Sequence, residues 1–309
     1  MDLQGITAYF TREKVIRNCV VAFIYLLAGT VVLIIFYILS GIFSRGSGFH
    51  YFMQNAGYFF LFLAIALMYA AIHRGNAGEG PHTVRSLSLH AAGKTHLIGA
   101  GLLGAILVLF IAALAQALFS AIGLIPYAGP AIVSLMTLPM FLVNFAALLL
   151  IILAWVLVPP LVSEGIEARR ILPEFAALVK RRGFVVIAYT FASLVAAVAV
   201  FAPLLMVVRY AAGITRAAQW NIAAAYPPAF RSIIRSSYVT DVLAALTPKT
   251  DPLAALQKYG SSLFNYVELL GIVLKIAYGI ALIAMAAFIL SLFFNLLSYC
   301  YARVRNSAR

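Results

Sequence analysis

Residues 95–163 read THLIGAGLLGAILVLFIAALAQALFSAIGLIPYAGPAIVSLMTLPMFLVNFAALLLIILAWVLVPPLVS, and these 69 residues contain no Asp, Glu, Lys or Arg. A typical soluble domain has about 25% charged residues. About 20 apolar residues cross the hydrocarbon of a bilayer as one helix. The stretch is therefore long enough for two crossings and a short connection, and it predicts a membrane protein.

Similar apolar runs along the 309 residues raise the number of predicted spans to six. The chain is 64% hydrophobic and only 10% charged, with a mean hydropathy of +1.03. Because the runs lack barrel-like alternation, helices are the expected form in lipid. We predict an all-α polytopic fold with one integral membrane domain, residues 1–309. The predicted spans are Asn18–Phe43, Tyr51–Ile72, Leu97–Ile122, Ala131–Leu157, Phe184–Val208 and Leu269–Tyr299.

The distribution of Lys and Arg predicts the orientation of these spans. Cytoplasmic connections of membrane proteins carry an excess of basic residues. With a cytoplasmic amino terminus, the inside segments hold most of the basic residues, whereas the first outside connection holds only Arg45. Both termini are therefore expected in the cytoplasm. The same flanking residues explain the net charge of +13 without nucleic-acid binding, for which no motif is present.

Two cytoplasmic loops resemble each other and predict interfacial amphipathic helices. Each has an acidic-Gly turn, then a Pro, a helix-compatible stretch, and a Gly before the next span. These are ordinary helix boundary signals. In the second loop an apolar face lies opposite basic residues, so the helix should lie in the headgroup plane. The expected headgroup-binding residues are Arg169, Arg170, Lys180, Arg181 and Arg182. Residues 6–17 form a third candidate for the same unit.

The long segment 209–268 is predicted to be helical and extracytoplasmic. It is either a docking platform for a partner or an interfacial cover for the ends of the bundle, and the cover is favoured. Charged residues in or beside it are candidates for partner or substrate contact: Arg231, Arg235, Glu268 and Lys275. Lys275 is close enough to the outer end of its span to reach water.

The sequence offers little reactive chemistry. His73, His82, His90 and His96 fall in one loop, but they lack the spacing of a metal site, and we expect them to be solvated or to face lipid headgroups. Three deep polar residues, Gln116, Asn144 and Asn295, are explained by interhelical hydrogen bonds. The first five spans contain no carboxylate. We therefore expect no enzyme activity, no cofactor and no metal.

One region resembles a known family. The pattern 157–165, LVPPLVSEG, and the hairpin 125–130, IPYAGP, resemble uncharacterised bacterial six-helix proteins that are similar to the membrane domain of some glycerophosphodiester phosphodiesterases. The resemblance covers about residues 60–205. It implies an envelope-associated protein of the bacterial inner membrane, and no phosphodiesterase activity, because no hydrolase domain accompanies the bundle.

These observations predict a non-enzymatic accessory or scaffold subunit. Its expected partners are membrane lipids, with anionic headgroups on the cytoplasmic face, and another membrane protein or a second copy of the chain. The alternative is a transporter or channel for a small amphipathic or lipid-like substrate, because internal repeats are frequent in transporters.

Overall fold

The computed structural model describes residues 7–43, 47–77, 82–120, 128–223 and 266–306. Within these ranges, side chains are described except at 118–120, 128–135, 138, 201–223, 266–275, 277 and 278. The described chain forms seven helices: α1 (Arg12–Ser40), α2 (Gly48–Ala77), α3 (Val84–Gly93), α4 (Thr95–Ser120), α5 (Ala128–Ser163), α6 (Ala168–Ala223) and α7 (Tyr266–Asn306).

Six of these helices, all except α3, are long and apolar enough to cross a membrane. Their qualifying parts are Arg12–Ser40, Gly48–Ala77, Thr95–Ala117, Pro139–Ser163, Ala168–Val200 and Gly279–Asn306. All six predicted spans are therefore confirmed as apolar helices in the described part of the chain. Backbone groups in lipid must be satisfied within the helix, which explains why the helices run beyond several predicted ends.

The chain divides into two compact units. The first comprises Met1–Asn18, Ala66–Ser193 and Phe294–Arg309, and the second comprises Cys19–Ile65 and Leu194–Phe293.

In the first unit, aromatic rings and an antiparallel helix pair form the described core. Tyr69 stacks on Phe294 with ring centroids 4.8 Å apart, and Trp155 packs against the same ring at 5.6 Å. Helix α4 packs along α5. A Cβ added at Gly101 would lie 2.8 Å from Val158 Cγ1, so the two helices approach closely there.

In the second unit, α1 and α2 form a tight hairpin. A Cβ at Gly29 would lie 2.9 Å from Ala64 Cβ, and one at Gly57 would lie 2.9 Å from Phe36 Cβ. Small residues let helix backbones approach closely in membranes. The His50 ring nitrogen Nδ1 lies 2.8 Å from the Ser40 carbonyl oxygen, which links the two helices near their connection.

The fifth helix extends beyond the predicted end of its span at Leu157. Helix α5 continues through Pro159 and Pro160 to Ser163. The Ser163 hydroxyl donates to the Pro160 carbonyl at 2.8 Å, and the Glu164 N–H donates to the same oxygen at 3.0 Å. These bonds continue the turn beyond the prolines. The helix ends where Gly165 adopts a φ of +82°, a left-handed conformation that favours glycine.

The helix is also continuous across Gly183, where the predicted fifth span is about to begin. Helix α6 runs without interruption from Ala168 to Ala223. A helical glycine costs only about 1 kcal/mol relative to alanine, so Gly183 does not by itself end the helix. The helix predicted in the second loop is therefore present as the first part of α6, and its interfacial position stays a prediction.

The first loop does contain a separate helix, as predicted. Helix α3 begins after Thr83, whose hydroxyl oxygen accepts a hydrogen bond from the Ser86 N–H at 3.2 Å. It ends at Gly93, and the Lys94 N–H closes its last turn. At the amino terminus, Thr7 is helical, residues 8 and 9 form a turn, and α1 begins at Arg12. Ile6, where the third predicted unit begins, lies outside the described residues, so this unit stays a prediction.

Most of the predicted extracytoplasmic segment lies outside the described residues. Helix α6 extends to Ala223 and α7 begins at Tyr266.

Candidate functional site

Eight polar side chains of the first unit, buried or partly buried, form two sets of contacts that are here together called the polar cluster. Its members come from the start of α1, the end of α2, the end of α5 and the last part of α7. They are Asn18, His73, Asn76, Glu164, Asn295, Ser298, Tyr301 and Arg305.

Three amides form one half of the polar cluster. Asn295 Oδ1 accepts hydrogen bonds from Asn18 Nδ2 and from Asn76 Nδ2, both at 2.8 Å. Asn18 Nδ2 also donates to Asn76 Oδ1 at 3.2 Å. All three side chains are buried. The prediction that Asn295 makes interhelical hydrogen bonds is confirmed, and the bonds join α1, α2 and α7.

Glu164 organises the other half of the polar cluster. Its carboxylate follows the carboxyl end of α5, where the helix dipole disfavours negative charge. Arg305 of α7 forms an ion pair with this carboxylate, and the Tyr301 hydroxyl donates to Glu164 Oε2 at 3.3 Å. Glu164 is 22% exposed. Among the acidic side chains that are described, Glu13, Glu167 and Glu174 are exposed, so Glu164 alone is partly buried.

His73 lies inside the cluster, and its expected solvation is wrong. Helix α2 extends to Ala77, so His73 is a helical residue and only 2% exposed. Its Nδ1 is within hydrogen-bond distance of Ser298 Oγ at 3.3 Å, and its ring packs edge-on against Tyr301. Its Nε2 is 3.6 Å from Glu164 Oε1 and has no hydrogen-bond partner among the described residues.

Two groups outside the predicted spans, His82 and Tyr9, have shifted pKa values. Partial burial, assisted by nearby Arg17 and Arg74, lowers the pKa of His82. Burial, with a smaller contribution from Tyr299, raises the pKa of the Tyr9 phenol. Both groups are therefore neutral at pH 7, and neither adds charge to the polar cluster. The described residues contain no group of three or more His, Cys, Asp or Glu that could hold a metal ion.

Gln116 and Asn144 form a second interhelical contact, as predicted. Gln116 Nε2 donates to Asn144 Oδ1 at 2.7 Å, and Asn144 Nδ2 donates to Gln116 Oε1 at 3.0 Å. This reciprocal pair fixes the register between α4 and α5.

A groove about 420 Å³ in volume lies between α4, α5 and the first turns of α6. No polar side chain lines it. The lining residues are Leu97, Ala100, Gly101, Gly104, Ala105, Val108, Leu150, Ala154, Val158, Ala168, Ile171, Leu172 and Phe175. A Cβ added at Gly104 would meet nothing within 4 Å. Gly104 therefore opens into the groove.

The basic residues predicted to bind headgroups are all exposed on α6: Arg169, Arg170, Lys180, Arg181 and Arg182. Arg169 and Arg170 adjoin the groove residues Ala168 and Ile171 in sequence. Arg169 Nε lies 2.8 Å from Glu167 Oε2, and Arg170 Nε lies 4.0 Å from the same oxygen. One carboxylate is thus shared by two guanidinium groups, which leaves a net positive charge beside the groove.

The other predicted contact residues lie outside the described side chains. Arg231 and Arg235 fall in the undescribed segment. Glu268 and Lys275 belong to α7, but the structure does not describe their side chains. Their role stays a prediction.

Comparison with protein-family models, with curated proteins and with solved structures finds no match to this chain. The resemblance at residues 157–165 therefore stays a prediction, and the function must be argued from the polar cluster and the groove.

The sequence did not reveal Glu164 or His73 as neighbours. The two residues are 91 positions apart in sequence, and the spacing of single polar residues carries no information about contacts between helices. One signal was present: Glu164 lies one residue before a glycine and directly after an uncharged run, where a lone carboxylate requires a partner.

Proposed function

We propose that this protein is a non-enzymatic accessory or scaffold subunit of the bacterial inner membrane, with both termini in the cytoplasm, that binds lipid and a partner membrane protein. The observation that carries the proposal is the ion pair between Glu164 and Arg305. The one described acid that is not exposed joins two helices, and a carboxylate engaged in this way is poorly suited to acid–base chemistry.

The amide triad supports the same proposal. The carbonyl oxygens of Asn76 and Asn295 accept hydrogen bonds from other helices, so these side chains hold helices together. Helices held in place by such hydrogen bonds suit a protein that presents a rigid surface to a partner. The resemblance to the six-helix membrane domain of some glycerophosphodiester phosphodiesterases agrees with such a role.

The experiment is purification from the native membrane in a mild detergent. We expect a stoichiometric companion protein, and we expect replacement of Arg231 and Arg235 with Glu to release it. Arg85→Glu is the matched control, because Arg85 is exposed on α3 and was not predicted to contact a partner. Recovery of the wild-type protein alone would contradict the scaffold proposal.

A second candidate is a transporter or channel for a small amphipathic substrate. The observation that favours it is the buried His73 Nε2, which has no hydrogen-bond partner among the described residues, since ionisable groups in membrane helices often mark solute pathways. Reconstituted vesicles test this candidate: flux of an amphipathic substrate that falls with His73→Ala, but not with His96→Ala at an exposed position, would favour transport.

A further inference from the structure

We propose that the groove between α4, α5 and α6 binds an acyl chain of an anionic glycerophospholipid, and that Arg169 and Arg170 hold its phosphate. This inference rests on the lipid binding in the proposed function, and it names the site and the class of lipid. The argument uses the shape of the groove, its depth and the charge at one end.

The shape and lining of the groove suit a hydrocarbon chain. Its volume of about 420 Å³ lies within the range of about 300–1,000 Å³ that is usual for small-molecule sites. The lining contains no polar side chain. Gly101 is in contact with Val158, whereas the space next to Gly104 is open. The cavity therefore follows α4 past its contact with α5.

The depth of the groove matches one leaflet. It follows α4 from Leu97 to Val108, which is about 16 Å at 1.5 Å per residue. The hydrocarbon of a bilayer is about 30 Å thick, so one leaflet contributes about 15 Å. A chain that runs from Leu97 to Val108 is therefore about as long as one leaflet is thick.

The charge lies at the entrance. Leu97 begins α4, Val158 is near the end of α5, and Ala168 begins α6, so these three groove residues mark the same end. Arg169 and Arg170 are 80% and 70% exposed there. Arginine binds phosphate through paired N–H donors, and Glu167 neutralises only one of the two charges. An anionic headgroup is therefore favoured over a zwitterionic one.

The test is native mass spectrometry of the purified full chain, titrated with phosphatidylglycerol or phosphatidylcholine in detergent. We expect tighter retention of phosphatidylglycerol. Each replacement, Arg169→Gln or Arg170→Gln, should weaken it by about fivefold, because a basic residue near an anionic surface contributes about 1 kcal/mol. Arg85→Gln is the matched control and should change nothing.

The groove itself is tested by filling it. Gly104→Leu should lower retention of both lipids without disturbing the fold, because the space is open, and Ala100→Leu is a second variant at an exposed lining position. Gly279→Leu is the control, since Gly279 also has open space and does not line the groove. A melting temperature close to wild type confirms folding of each variant.

The outcomes separate the two proposals. If wild-type protein retains neither lipid, lipid binding in the proposed function is wrong. If it retains phosphatidylglycerol and the groove and arginine variants retain it equally, only this site assignment is overturned. Equal retention of both lipids by the wild type overturns the anionic specificity. If Gly104→Leu releases the companion protein and leaves lipid retention unchanged, the groove holds a partner helix and the assignment is wrong.

Discussion

Glu164 contacts three other members of the polar cluster: Arg305, Tyr301 and His73. Replacing it with Gln removes the charge that Arg305 pairs with and weakens the bond from Tyr301. Loss of a charged hydrogen-bond partner costs about 1–3 kcal/mol, so we expect Glu164→Gln to lower the melting temperature in detergent. Glu167→Gln is the control, because that acid is exposed.

A double-mutant cycle checks the cause of this loss. If the ion pair is responsible, Glu164→Gln and Arg305→Gln together should cost less than the sum of the single changes. Additive losses would contradict a direct interaction between the two side chains.

Asn295 is the shared acceptor of the amide triad. Asn295→Ala removes both short hydrogen bonds and leaves two buried Nδ2 groups without that acceptor. Hydrogen bonds between membrane helices contribute about 0.6 kcal/mol on average, and unsatisfied buried groups add to the loss. We expect about 1–3 kcal/mol of destabilisation in reversible unfolding, whereas Asn306→Ala, at an exposed position, should be neutral. An unchanged stability for Asn295→Ala would show that the triad contributes nothing.

At the residue scale, sequence reasoning identified single polar positions but not their neighbours. Asn295 was expected to hydrogen-bond between helices, because a polar group in lipid requires a partner. His73 was misplaced, because the predicted span ended one residue before it. The helix runs further, and that single shift moves the imidazole from solvent into the core.

At the element scale, the close approach of α1 and α2 depends on glycine. Gly29→Ala would place its Cβ 2.9 Å from Ala64 Cβ, a contact that a short rigid side chain cannot relieve. We expect Gly29→Ala to lower the melting temperature, with a cost of about 1–3 kcal/mol for overpacking. Gly104→Ala is the matched control, because its Cβ meets nothing within 4 Å. Equal effects of the two changes would contradict the packing argument.

The extent of each helix was harder to predict than its existence. The uncharged runs indicate the spans because such long apolar segments are favourable in lipid and unfavourable in water. Pro159, Pro160 and Gly183 are usual boundary signals, yet helices pass through all three. In lipid the cost of exposing backbone groups exceeds the local preference of these residues, so rules taken from soluble helices place the ends too early.

At the scale of the whole molecule, the basic residues predict the orientation. With Cys19 and Cys300 replaced by Ala, a cysteine at Ser47 should react with an impermeant maleimide in intact cells. A cysteine at Ser86, on the exposed side of α3, should react only after lysis. Labelling at both positions after lysis is the positive control. The reverse pattern would place the termini outside.

The function could be approached from the sequence only by exclusion. The scarcity of acidic residues argued against an enzyme. The order of residues in the sequence did not indicate that His73 and Glu164, 91 positions apart, lie close together, or that a groove opens beside Gly104. Both features arise from helix packing, which depends on the sizes of side chains on facing surfaces.

The two adjacent prolines near the end of α5 have a further consequence. Pro159 and Pro160 carry no N–H, so the carbonyls of Trp155 and Val156 receive no bond from within the helix, and the final turn is attached by fewer backbone bonds than an ordinary one. The contacts of the Glu164 side chain with Arg305 and Tyr301 therefore stabilise this final turn. Amide hydrogen exchange should therefore accelerate first at 161–165 when salt or Arg305→Gln weakens that tether, well before the rest of α5 opens.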